Sequence, residues 1–370
     1  SNIRPKKEAN MKKNLIVIQI ILIVLAAMVF ATTSHSADAK VLRLISWTGY
    51  APDELIAKFK QETGITVEVT YSSNEEIISK LRATRGGGFD LAQPSQDRIS
   101  AVQQQFGIYQ PIDYSKVNTS QIDENMLAAV KQNTLVDGKS YAVPHVYGTN
   151  ALVVNRAKVP DAKDWKDLLN PKYTGRVAMR LRRPVLVGMG YSFGYDVFKL
   201  YNDREGYQKF LDKMEEVFIQ GKPVLKTYFD NVDALIGLMR SGEVWLSDCW
   251  EQAAWKLNAD NPDIDYLAPT SGPLAWIDTF AIPSKSENLD GAYKWINFSL
   301  RPENAALFTN KEKYGTASKD AVKYMDPQVK ANFERSFPPE VMATINWYPP
   351  VPPGLEAMEA KTLDKIRTAK

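Results

Sequence analysis

From Val41 onward, short apolar runs alternate with stretches whose apolar positions recur at helical spacing. VLRLIS, Val41 to Ser46, reads as a strand. Over Pro52 to Thr63, Leu55, Ile56 and Phe59 share one helical face, and Gly64 ends the pattern. Ile65 to Tyr71 alternates apolar and polar residues as a strand. Asn74 to Thr84 is helical again, and Gly86-Gly87-Gly88 turns the chain into FDLAQ, a third strand. Strand–helix–strand–helix–strand with short connections predicts a parallel α/β sheet. Ligands of such sheets bind beyond the carboxyl ends of the strands. Trp47, Thr48 and Tyr50 follow the first strand, and Ser95, Gln96 and Asp97 follow the third, so both groups fall on one rim. Two large rings placed where a strand ends, rather than inside an element, point to the lining of a ligand cleft.

Two long extended stretches interrupt this alternation: Tyr141 to Asn155 and Leu274 to Pro283. Between them GRVAMR and EVWLSDCW read as strands, and a helix is expected near Tyr207 to Val217. With 370 residues the chain is too long for one ordinary core, so two domains are expected. The extended stretches are then crossovers, and each lobe is discontinuous in sequence. The expected division is residues 38–145 with 277–315 in lobe 1, and 146–276 with 316–370 in lobe 2. PPVPPG, Pro349 to Gly354, is a rigid turn before a final helix.

The first 37 residues differ in kind. Lys12 and Lys13 precede an apolar run from Leu15 to Phe30, followed by small residues with cleavage sites near Ser36 or Ala39. This is a secretory signal pattern preceded by a ten-residue extension, and it places the remainder in the periplasm. The formal net charge is +3, but residues 1–36 carry five basic residues against Glu8, which leaves −1 for the rest. A near-neutral protein lacks the footprint of nucleic-acid binding.

Cys249 is the only cysteine, and His35 and His145 are the only histidines. A His-rich metal site is excluded after the leader, and no cofactor is indicated. A Ser-His-Asp triad would need His145, and no GxSxG accompanies it. Acids are plentiful, so a paired-carboxylate hydrolase using Asp248 and Glu251 stays open, although their spacing is weak support. Cys249 reads as a buried structural thiol.

SWTGYAPDELIAKFKQETGITV, GGGFDLAQPS, GKSYAVPHVYGTNALVVN, DWKDLLNPKYTGRV, GEVWLSDCW, WIDTFAIP and WINFSLRPENAA occur in that order. Together they resemble the spermidine/putrescine-binding periplasmic proteins of ABC importers, from about Val41 to the C-terminus. The resemblance implies a type II-like two-lobed α/β fold, each lobe a mainly parallel sheet flanked by helices, joined by a hinge. It implies a monomer that hands one small amine to a membrane permease, and no enzyme activity. Trp47, Thr48 and Tyr50 match a cleft segment in which Gly49 stands where an acid is common. Ser95 matches a cleft serine, Trp250 an aromatic of the second lobe, and Trp276 and Asp278 a WxD motif whose carboxylate takes an ammonium. Tyr314 and Tyr348 match late cleft positions. Aromatic rings hold methylene chains and attract ammonium groups, which suits such a ligand.

The chain departs from this pattern at RVAMRLRRPVLVG. Polyamine binders that it resembles place two acids here, whereas residues 175–195 contain none and Arg180, Arg182 and Arg183 stand instead. The cluster sits where a strand should end and a helix begin after Pro184; a helix N-terminus favours anions and arginine binds them bidentately. One expectation is therefore an anion site at Arg182 opposite Asp278, fitting an ω-amino acid or aminophosphonate. The other is that the arginines face solvent, since strand alternation sets Arg180 and Arg182 on one face, or pair with acids such as Asp97, Asp248 and Glu251, which could also restore a diamine site. Asp97 stands where the family often has tyrosine. A sensor partner of a membrane receptor would use the same fold.

Overall fold

The computed structural model describes residues 40–369, so the leader expected over residues 1–37 lies outside the described residues. Among these, no helix is long and apolar enough to cross a membrane.

Strand β1 (Val41–Ser46) lies between β2 (Thr66–Tyr71) and β3 (Leu91–Ala92) and runs parallel to both. The crossovers are helices α1 (Asp53–Thr63) and α2 (Asn74–Ala83). In α1, Leu55 and Phe59 bury one stripe, and the helix ends at Gly64, whose φ of 73° is the left-handed conformation that glycine adopts without a Cβ penalty. Helix α2 starts with a reciprocal capping box between Ser73 and Glu76. The expected elements and their parallel order are therefore present here.

A second sheet contains β4 (Val143–Asn155), β5 (Val177–Met179), β6 (Leu225–Tyr228), β7 (Leu246–Trp250), β8 (Ile264–Leu267), β9 (Leu274–Phe280), β10 (Gly315–Thr316) and β11 (Asn346–Trp347). Its order is β11-β9-β4-β7-β5-β6, with β8 and β10 also paired to β4. This sheet is mixed rather than mainly parallel. Strands β7, β5 and β6 are mutually parallel, but β4 is antiparallel to β7, β8, β9 and β10. The reason is topological: the two long extended stretches travel in opposite directions and lie side by side, so they pair antiparallel.

The buried apolar residues fall into several groups, and residues of the paired strands β4 and β9 belong to more than one of them. One is built on Leu44, Phe59, Trp295, Phe298 and Phe308. Another is built on Trp165, Tyr207, Phe210, Leu246 and Ile366. Trp276, in β9, packs against both. Its ring covers Gly148 of β4, where an added Cβ would come within 2.3 Å of the indole. Cys249 is buried and free, as expected.

Candidate functional site

Strand β9 passes the carboxyl end of β3, and the two are stitched together there. Ala281 N–H donates to the Ala92 carbonyl at 2.8 Å and Thr279 N–H to the Pro94 carbonyl at 2.9 Å. The pairing of β9 with β4 shifts register between Asp278 and Thr279. This geometry brings Asp278, from late in the chain, onto the rim formed by the first three strands.

There its carboxylate is buried, 3% exposed, and accepts two hydrogen bonds. The Ser95 hydroxyl donates to Oδ1 at 2.5 Å and the Tyr50 hydroxyl to Oδ2 at 2.6 Å. Ser95 is itself held by Asn74, whose side chain accepts from its N–H at 3.0 Å and donates to its Oγ at 2.9 Å. Both donors to Asp278 are neutral. Burial pushes the acid up to about 7, Asp97 adds to the rise, and the hydrogen bonds from Ser95 and Tyr50 oppose it.

Aromatic rings wall this carboxylate. Tyr50 lies 6.3 Å from Tyr314 and 6.5 Å from Trp47, and Trp276 lies 5.4 Å from Tyr314. Trp47 is fixed by its indole N–H, which donates to the Gln93 carbonyl at 3.0 Å, and Thr48 is exposed beside it. The indole N–H of Trp276 is buried without a hydrogen-bond partner. The Tyr314 hydroxyl donates to Gln252 Oε1 at 3.4 Å and so reaches the start of helix α3 (Glu251–Asp260), next to Trp250.

Trp250 ends β7 and is partly buried. The guanidinium carbon of Arg180 sits 4.6 Å from its ring centroid. Arg180 N–H donates to buried Asp248 at 2.8 Å. Glu251 accepts from Thr149 N–H at 2.9 Å and from Thr149 Oγ1 at 3.0 Å. Burial pushes both acids up to about 7.

The arginine cluster separates in a way that strand alternation does not describe, because β5 stops at Met179. Arg182 precedes helix α4 (Arg183–Ser192), points outward and pairs with Asp230 at 2.8 Å. It stands apart from the aromatic group, where the sequence reading set an anion site. Arg183 is buried beneath the C-terminal helix α5 (Leu355–Thr368), 2.6 Å from Glu359 and 3.8 Å from Asp97. Asp97 is thus engaged by Arg183 and, at 3.2 Å, by Arg98. Tyr348 packs 5.3 Å from Phe198 in the second core rather than beside Asp278.

The sequence groups Arg180 with Arg182 and Arg183, and only the strand end at Met179 separates it from them. Glu312 is absent from the candidates that the sequence offers. An added Cβ at Gly49 would lie 2.6 Å from its carboxylate, so Glu312 sets an acid directly against Gly49. The signal was Gly49 itself: a missing side chain leaves room for another. Glu312 is half-buried, burial raises its pKa, and among the described residues its carboxylate makes no ion pair.

His145 is a core residue. Its ring stacks 4.2 Å from Phe280, Gln93 Nε2 donates to its Nδ1 at 2.6 Å, and burial lowers its pKa to about 3, so it is neutral. Ser46 donates to Gln93 rather than to this ring. Among the described residues no group of three or more His, Cys, Asp or Glu side chains is gathered as for a metal ion.

A family profile described as bacterial extracellular solute-binding protein matches residues 54–336. The chain belongs to this family. A spermidine/putrescine-binding periplasmic protein of Escherichia coli K12 is 30% identical over 316 residues, covering 83% of this chain and 86% of its own. The putrescine-binding periplasmic protein SpuD of Pseudomonas aeruginosa is 26% identical over 365 residues, covering 92% and 95%. The spermidine/putrescine transporter substrate-binding protein PotD of Streptococcus pneumoniae superposes with a TM-score of 0.74 at 25% identity, over 89% of this chain and 99% of that one. A structure described as a putative spermidine/putrescine ABC transporter from Listeria monocytogenes gives 0.75 at 24% identity, over 90% and 100%. As a solute-binding protein, the chain has the two-lobed α/β architecture of these structures, with β4 and β9 as its paired central strands.

Proposed function

We propose that this solute-binding protein captures a small amine-bearing ligand, a polyamine or a zwitterionic amine, between its lobes and delivers it to an ABC permease from the extracytoplasmic side. The observation that carries this reading is Asp278: a buried carboxylate held by two neutral donors, with no cation paired to it among the described residues, and walled by Tyr50, Tyr314 and Trp276. An ammonium supplies the missing charge, and the rings favour both it and its methylene chain. The relatives described as spermidine/putrescine-binding and putrescine-binding proteins support the same ligand class.

Of the described residues, the lobes we assign are 40–145 with 277–315 and 146–276 with 316–369, except that 316–326 ride with the first. There Asp123 N–H donates to the Ala317 carbonyl and Asp326 N–H to Asn310. Trp47, Thr48, Tyr50, Ser95, Asp278 and Tyr314 then face Trp250 from the opposite lobe, and Trp276 sits at the crossing, packed against both cores. The reading is tested by calorimetry with putrescine, spermidine and 4-aminobutyrate. One-to-one binding without product formation is expected, and turnover of any of them would point to an enzyme instead.

A further inference from the structure

Ala178 of β5 is in register with Ser247 of the adjacent parallel β7. Arg180 and Trp250 therefore both emerge near the carboxyl ends of neighbouring parallel strands, where α/β sheets hold ligands. The other arginines nearby are accounted for: Arg182 by Asp230, Arg183 by Glu359 and Asp97, and Arg98 by Asp97. Arg180 is different. Among the described residues it makes no ion pair, its Nε is buried without a hydrogen-bond partner, and its guanidinium lies on the Trp250 ring.

Two consequences follow. The face of Trp250 already carries a cation, so a second cation arriving there meets a like charge rather than an open ring. A buried guanidinium N–H without an acceptor also favours any ligand that brings one. The Trp276 indole N–H is a second buried donor in the same condition. Arg180 and Asp278 belong to one continuous wall, because Tyr314 touches Tyr50 on one side and Gln252, two residues from Trp250, on the other. Asp278 and Glu312 stand at the first end. At the second, Asp248 and Glu251 are held by the backbone N–H groups of Arg180 and Thr149, and the Arg180 guanidinium makes no ion pair among the described residues.

We propose that the ligand is a zwitterion, with its ammonium at Asp278 and a carboxylate taken by the guanidinium fork of Arg180, in the manner of an ω-amino acid. This rests on the amine-binding reading above and narrows it.

The test uses two matched pairs of the same carbon count: 4-aminobutyrate against putrescine, and 5-aminovalerate against cadaverine. Calorimetry on the wild-type protein is expected to favour the amino acid of at least one pair by about tenfold or more. Arg180→Gln is expected to weaken that amino acid by at least about thirtyfold without weakening its diamine, and Arg180→Lys to restore part of the loss. Unliganded melting curves check that each variant folds, and Arg180→Lys carries the comparison should the glutamine variant fail to do so. The inference is overturned if the diamines bind more tightly in both pairs, or if neither variant changes the ratio. Those results leave amine binding standing. A protein that binds none of the four probes fails the amine reading itself, and the narrower inference with it.

Discussion

Ser95 and Asp278, separated by 183 residues of sequence, meet at 2.5 Å. Their contact is the side-chain counterpart of a backbone bridge between the same two residues. The position of the carboxylate is therefore fixed by main chain as well as by the hydroxyls of Ser95 and Tyr50. A charge fixed in this way requires little rearrangement when a cation arrives, so less of the binding free energy is lost to ordering.

Asp278→Asn keeps the volume and removes the charge. Amine affinity should fall by about 2–5 kcal/mol, the usual cost of breaking a buried charged pair. The unliganded fold should melt at or above the wild-type temperature, because an uncompensated buried charge has gone. Calorimetry and a melting curve check both; retained affinity would remove Asp278 from the site.

Asp278 and Asp248 rise from 3.8, and Glu251 from 4.5, to about 7, each mainly through burial. A carboxyl whose folded pKa is raised binds more protons in the native than in the unfolded state between those values. These groups therefore favour the unliganded fold below about pH 4, and that contribution is lost as pH rises through 7. Amine binding needs the ionised form of Asp278, so affinity should increase from pH 5 to pH 8. Titrations at pH 6 in buffers of different ionisation heat should show proton release on binding. Asp278→Asn should reduce that release.

Glu312→Gln tests whether the acid beside Gly49 reaches the ligand. Because Glu312 is only half-buried, the expected loss of amine affinity is smaller than for Asp278, about 1 kcal/mol. An unchanged affinity would leave Glu312 as a wall residue.

Gly148→Ala sets a methyl group against the Trp276 ring, which lies too close for any Cβ. Overpacking of this kind costs about 1–3 kcal/mol. The ring must shift, and since Trp276 packs against both cores, ligand affinity should fall together with the melting temperature. Stability lost without any change in affinity would separate Trp276 from the ligand.

The first sheet was legible because each of its elements announces itself locally, by alternation, a capping box or a terminal glycine. The rim rule then placed Trp47, Tyr50 and Ser95 near one another, and Asp278 came in through its motif. What could not be read was anything decided by distant packing. Arg180, Arg182 and Arg183 look equivalent in sequence. They part because a strand stops at Met179 and because helix α5, about 170 residues later, supplies Glu359 to Arg183. Glu312 reaches Gly49 in the same non-local way. The mixed second sheet follows from two crossovers lying side by side, which neither segment reveals by itself.

That separation of neighbouring arginines predicts opposite outcomes for adjacent substitutions. The Arg182–Asp230 pair is about half exposed on both sides, at 52% and 59%, so solvent screens it. Arg182→Ala should change stability by about 0–1 kcal/mol. Arg183 and Glu359 are 11% and 3% exposed, and the Tyr207 hydroxyl also donates to Glu359 at 2.6 Å. Arg183→Ala leaves Glu359 buried with that one donor, at a cost of about 3–5 kcal/mol. Replacing both members by methionine should recover most of the loss, since the expense lies in the orphaned charge rather than in the absent contact. Urea unfolding of the four proteins checks this. Equal effects at 182 and 183 would mean that Arg183 is as accessible to water as its neighbour.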